Sequence, residues 1–408
     1  MNILKDFPDE DKLLELASES TLKEVNGHIH SPYSFSAFEN LQQAFELAKE
    51  EGVKILGIND FYVVDGYKEF YNHALESDIF PLFNIEFIGL LEKEQEAGIR
   101  INDPNNPGRI YFSGKGLDYP FNISETSRKK MDRVIAESQR QVKEMVIRLN
   151  DLLQHKNIAI QLDYESIKKS YAKELVRERH IAKALRIGVQ EKYDSQGEQK
   201  QAYKSIFDGK ELKSSLDDKA SLENEIRGNL LKSGGAAFVP EDPKAFLKLD
   251  EIITIIIDAG GIPCYPVLLD DPKGNFTEYE GNFEKLYDEL TARNIFCLEL
   301  IPGRNSFQHL KSFVEYFSNR DFAITFGTEH NSPAMAPLKI KTSDEDLDED
   351  LKKVNHEGAC IIAAHQYLKS KGDHGYIDPE NKPRASKKQY FIELGKGVLA
   401  YYFKMKNN

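Results

Sequence analysis

The chain predicts an α/β fold built on a parallel sheet or barrel, and three observations carry this. Strand and helix signals alternate with short connections over the first 90 or so residues. The alternation resumes after about residue 240. Several of the predicted strands end in histidine or carboxylate, and the strand ends are where a parallel barrel gathers its chemistry.

The elements follow in order. Residues 25–31 read as a strand, and 39–51 as an amphipathic helix with Leu41, Ala44, Phe45 and Ala48 at helical spacing and Gly52 closing it. Residues 55–61 give the next strand, 67–77 a helix, and 79–90 a third strand. A turn cluster at 102–108 (NDPNNPG) interrupts the pattern. Long polar helices are expected over 124–154 and 166–186, and 191–232 is charged and nearly free of apolar runs. The stretch 92–235 therefore reads as a mainly helical insertion, a lid between barrel portions at 1–91 and 236–340. Strands return at 262–268, 295–301 and 322–327, alternating with helices at 241–259, 283–293 and 306–319. Residues 341–408 are expected to form a helical tail packed on the barrel.

Composition narrows the function. The chain has 408 residues, enough for a large core with an insertion. A formal net charge of −13 argues against broad nucleic-acid binding but not against a small anionic substrate, because a bound metal supplies positive charge that a residue count misses. No apolar run approaches the ~20 residues of a membrane helix, and the acidic first ten residues lack a signal-peptide core, so a cytoplasmic location is expected. Cys264, Cys297 and Cys360 form no CxxC pair and suggest neither a disulfide framework nor a zinc knuckle. Oligomeric state is not legible.

The most informative motif is His28-Ile29-His30 at the end of the first strand. A strand alternates with period two, so both imidazoles share one face and can chelate a divalent transition metal. Asp60 ends the second strand, where it serves either as a ligand or as a turn or helix-cap residue. Glu86 lies among Phe83, Ile85, Phe87 and Ile88, and a carboxylate in so apolar a strand needs a partner to offset its desolvation. Glu329 and His330 follow the last strand, and Arg304 follows another, placed either to fork a phosphate or to pair with an acid. A mixed histidine and carboxylate set suits Zn, Mn or Fe, as one ion or two. His365 and His374 in the tail are expected at the surface.

These residues together resemble the polymerase and histidinol phosphatase (PHP) family. Its first motif is His-x-His-Ser, matched by His28-Ile29-His30-Ser31, and its second, Thr-Asp-His, is matched in part by Asn59-Asp60-Phe61. Glu86 corresponds to its third-strand glutamate. Gly260-Gly261-Ile262-Pro263-Cys264-Tyr265-Pro266 looks like its Gly-Gly-(x)n-His-Pro strand, and Gly327-Thr328-Glu329-His330-Asn331 is similar to its Gly-Ser-Asp-x-His end. Arg179-His180-Ile181-Ala182 resembles a helix start of the phosphoesterase branch that includes nucleoside-phosphate phosphatases.

The resemblance implies a distorted (β/α)7 TIM-like barrel and metal-dependent hydrolysis of a small phosphorylated metabolite. His28, His30, Asp60, Glu86 and His330 would be metal ligands, with Glu329 and His180 as further catalytic-site residues; Arg304, by its own position at the same mouth, is a further catalytic candidate. Phe61 and Tyr265 stand where the family has histidines, which argues against a third metal ion. Two other readings stay open: a barrel that binds a ligand or partner without hydrolysis, and a lactonase- or amidase-type hydrolase on the same scaffold.

Overall fold

The computed structural model describes residues 2–271 and 273–406. Seven strands lie side by side in chain order in one sheet. They are β1 (Glu24–Ile29), β2 (Val53–Phe61), β3 (Phe80–Leu90), β4 (Arg109–Lys115), β5 (Ile262–Val267), β6 (Cys297–Leu300) and β7 (Ala323–Phe326). All neighbours pair in parallel except β4, which runs antiparallel to both β3 and β5. The sheet curls until β7 meets β1: Thr328 N and Glu329 N donate to His28 O at 3.1 and 2.9 Å, and His30 N donates to Glu329 O at 2.7 Å. Gly327 permits this closure, since a Cβ there would sit 2.3 Å from Cβ of His28. The result is the distorted TIM-like barrel expected from the sequence.

One strand was not anticipated. β4 lies inside 92–235, the stretch expected to be a mainly helical insertion. Its inward residues Tyr111, Ser113 and Lys115 are polar, so its pattern lacks the apolar run that marks a buried parallel strand. The remainder of the insertion is helical, led by the helix Glu125–His155, and has its own apolar core of Val142, Leu149, Leu185, Tyr203, Leu222 and their neighbours. The helix expected over 166–186 is two helices, Tyr164–Tyr171 and Glu178–Lys192. The break is tertiary in origin: Lys173 N and Leu175 N donate to Pro32 O and Tyr33 O, on the loop after β1.

Inside the barrel, layers follow from strand alternation, which a register shift between Asn26 and Ile29 interrupts in β1 so that Val25 and His28 both point inward. The first inward residues, Val25, Ile55, Phe80, Leu82, Ile262, Cys264, Cys297 and Ala323, pack on the helices Glu349–Lys371 and Lys388–Lys406, which form the barrel floor. His365, expected at the surface, is buried in this floor: it contacts Gly260 O through Nε2 at 2.6 Å and accepts from Tyr376 N at 2.8 Å. Its neighbours Ala363, Ala364 and Tyr367 are buried too, so the helix is apolar around most of its circumference and periodicity marks no solvent face. His374 is exposed. Among the described residues, no helix is long and apolar enough to cross a membrane.

Candidate metal centre

Toward the barrel mouth the inward positions bring a polar set together. His28 and His30, on and just after β1, are buried, with Nε2 atoms 3.2 Å apart. Glu86 on β3 brings Oε2 to 3.3 Å from His30 Nε2 and 3.9 Å from His28 Nε2. These three form the one cluster of potential metal-ligating groups among the described residues. The spacing suits a cation. Ligand bonds of about 2.1 Å in tetrahedral geometry place donors roughly 3.4 Å apart, close to the observed edges. Glu86 Oε2 is also buried with no hydrogen-bond partner, a costly state that a metal ion would relieve.

Electrostatics point the same way. Burial pushes the Glu86 carboxyl up to about 8, with His28 opposing. Burial likewise drives His30 down to about 4, against the pull of Asp60, so its imidazole is neutral and able to ligate. Both shifts describe a site that favours neutral groups until a cation arrives.

A second layer orients the first. Glu299, on the inner face of β6, contacts His28 Nδ1 at 2.9 Å. Burial disfavours its ionisation, but His28 and Lys115 outweigh burial and hold it at about 2. An ionised Glu299 only accepts, so Nδ1 of His28 is the donor toward it and Nε2 is the nitrogen that faces the cluster. Lys115, from β4, pairs with the other Glu299 oxygen, and both side chains are fully buried. The Asn59 amide lies 3.0 Å from both ring nitrogens of His28. Sequence reasoning missed Glu299, although it stands between Leu298 and Leu300 in the same apolar setting that exposed Glu86. Lys115 was hidden with its strand.

The other anticipated residues take different places. Asp60 points outward from β2, because alternation puts Asn59 and Phe61 inward. It accepts from Ser31 N at 2.7 Å, Ser31 Oγ at 2.5 Å and Ser34 Oγ at 2.6 Å, and lies 3.9 Å behind Nδ1 of His30. Phe61 occupies the inward position, its ring centred 4.7 Å from that of His30. His330 stacks on Phe38, with Nδ1 2.8 Å from Thr328 Oγ1 and Nε2 2.8 Å from Ala336 O, so both nitrogens are engaged away from the cluster. Tyr265 faces outward from β5, where its hydroxyl donates to buried Glu280 at 2.7 Å.

Glu329 pairs with Arg304 and accepts from Asn331 Nδ2 at 2.8 Å. Burial opposes its ionisation, but Arg304 outweighs that and lowers its pKa. Glu329 and His330 have φ of 62° and 54°, two successive side-chain-bearing residues in the left-handed region. That strain is held by the backbone bonds to β1 and turns Glu329 toward the mouth. His180 is buried in the first turn of Glu178–Lys192, where Nδ1 accepts from Arg177 N at 3.0 Å, and burial takes its pKa down to about 3. Above the cluster opens a cavity of about 1130 Å³, lined by Glu86, Phe61, Arg304 and Glu329 from the barrel and by Arg177, Arg179 and Arg227 from the insertion.

Fold and site together define an α/β barrel with a candidate metal centre at its mouth. Residues 26–222 match the model of the PHP domain family. No curated relative matches it. Among solved structures, it is similar to a protein proposed to be a metal-dependent phosphoesterase from Bifidobacterium adolescentis, at 16% identity and TM-score 0.52, covering 82% of this chain and 96% of that one. It is also similar to an amidohydrolase from Chromobacterium violaceum with bound sulfate and no metal, at 14% identity and TM-score 0.50, covering 80% and 91%. At such identities the likeness bears on the fold alone.

Proposed function

We propose that this chain is a metal-dependent hydrolase that cleaves a phosphoester of a small metabolite at the barrel mouth. The observation that carries the reading is the converging set of His28 Nε2, His30 Nε2 and the unpartnered Glu86 Oε2. These residues would hold one divalent transition ion, since Asp60 and His330 are committed to other hydrogen bonds. When bound, such an ion polarises a phosphoryl oxygen and lowers the pKa of a bound water. Glu299 fixes the tautomer of His28, and the serines that fill Asp60's acceptor sites hold it behind His30. Glu329, kept ionised by Arg304, accepts the proton of the attacking water from the cavity side. The insertion covers the mouth and limits the size of the substrate.

The test is a phosphomonoester panel assayed with metal-reconstituted protein beside His28→Ala and Glu86→Gln. Turnover that disappears in both folded variants, together with their metal, supports the reading. Variants that keep full metal content and rate would remove it.

A further inference from the structure

Among the described residues, six cationic side chains line the mouth cavity: Arg109, Arg177, Arg179, Arg227, Lys232 and Arg304. Four are spent. Arg109 pairs with Asp103 and Glu241, Arg227 and Lys232 share Glu178, and Arg304 holds Glu329. Arg177 and Arg179 differ: among the described residues neither has a carboxylate oxygen within 4.0 Å. Among the described residues the Arg177 guanidinium donates to no other side chain, and it lies 4.8 Å over the ring of Phe61, which itself packs on His30. Arg179 donates one bond to Asn224 Oδ1 at 2.9 Å and lies 5.5 Å from the ring of Phe35.

Two half-buried guanidiniums with open donors, resting on aromatic rings at the edge of a ligand cluster, are an anion site in waiting. Their positions are built. Val176 exchanges two bonds of 3.1 Å with the Gln139 amide, and the Arg177 N–H is held by His180. Arg177 sits at the start of Glu178–Lys192, so the positive end of that helix adds to the field.

We infer that Arg177 and Arg179 form an oxyanion clamp, delivered by the insertion, that takes the phosphate of the substrate and presents it to the His28–His30–Glu86 cluster. The inference deepens the phosphoester reading and rests on it for its meaning, but its test needs neither metal nor turnover.

The experiment is calorimetric titration of chelator-stripped protein with inorganic phosphate. Wild type should bind one phosphate per chain. Arg177→Met and Arg179→Met should each weaken binding by at least about 10-fold, the loss expected for a hydrogen bond to a charged group. Arg177→Lys, which keeps the charge and loses the fork, should fall between. Arg109→Met, which removes a spent cation from the same cavity, should bind as wild type. Far-ultraviolet circular dichroism on each variant checks folding. Wild-type affinity in both methionine variants, or no phosphate binding by stripped wild type, would overturn the clamp. If stripped protein binds through the clamp but reconstituted protein cleaves no phosphoester, the hydrolase reading falls and the clamp stands. Turnover together with unaffected phosphate binding in both methionine variants removes the clamp alone.

Discussion

Glu299 Oε2 lies 2.9 Å from Nδ1 of His28, with Lys115 on its other oxygen, so a fully buried ion pair orients the first histidine of the cluster. His28 thus depends on a residue that lies outside the cluster. Glu299→Gln is expected to weaken metal affinity by about 10–100-fold. It also leaves Lys115 charged and unpaired, costing about 3–5 kcal/mol. The double variant Glu299→Gln/Lys115→Met should recover stability without recovering metal affinity. Urea unfolding and a chelator competition read the two effects separately, and joint recovery would contradict the orienting role.

Metal content should follow the cluster. Elemental analysis of wild type is expected to give about one equivalent of Zn, Mn or Fe per chain, lost in His28→Ala, His30→Ala and Glu86→Gln. His330→Gln should retain it, because both nitrogens of His330 are engaged elsewhere. Loss of metal from the His330 variant would mean that the loop rearranges on loading.

Removing the metal should lower stability by mass action, by about 2.7 kcal/mol when the free ion stands at 100 times its Kd. A chelator-induced drop in Tm that is absent in Glu86→Gln would locate the effect at this site.

Glu280 gives a pH dependence of stability. Burial raises its pKa from 4.5 to about 7, against the hydrogen bond from Tyr265. A raised pKa favours the protonated form in the folded state, so its contribution is complete below pH 4.5 and disappears as pH climbs through 7. The span corresponds to about 3 kcal/mol. Unfolding free energies at pH 5 and pH 8 should therefore fall more steeply in wild type than in Glu280→Gln, and parallel profiles would refute the assignment.

The barrel floor offers a packing test. A Cβ at Gly358 would lie 2.0 Å from Ile324 O, so the helix Glu349–Lys371 rides directly on the β7 backbone. Gly358→Ala should destabilise by about 1–3 kcal/mol, as overpacking does. An unchanged urea midpoint would mean the helix can lift from β7.

Much of the centre was legible because strand alternation is local. Period two put His28 and His30 on one face, and desolvation singled out Glu86 in its apolar run, so the three clustered residues were all readable before any contact was known. The same alternation puts Asp60 on the outward face once the strand register is fixed, but register is a property of paired strands and one residue of slip reverses it. β4 escaped notice because its inward side chains serve a polar barrel interior, and Lys115 went with it. What the chain determined by itself was the set of strands whose hydrophobic patterns are strong and the chemistry at their ends. What only the tertiary structure decided was the pairing of Glu299 with Lys115 and His28, and the break at 172–177 that sets Arg177 over the mouth. Both depend on contacts between residues far apart in sequence, where burial of a charge or a backbone bond to a distant loop overrides local preference.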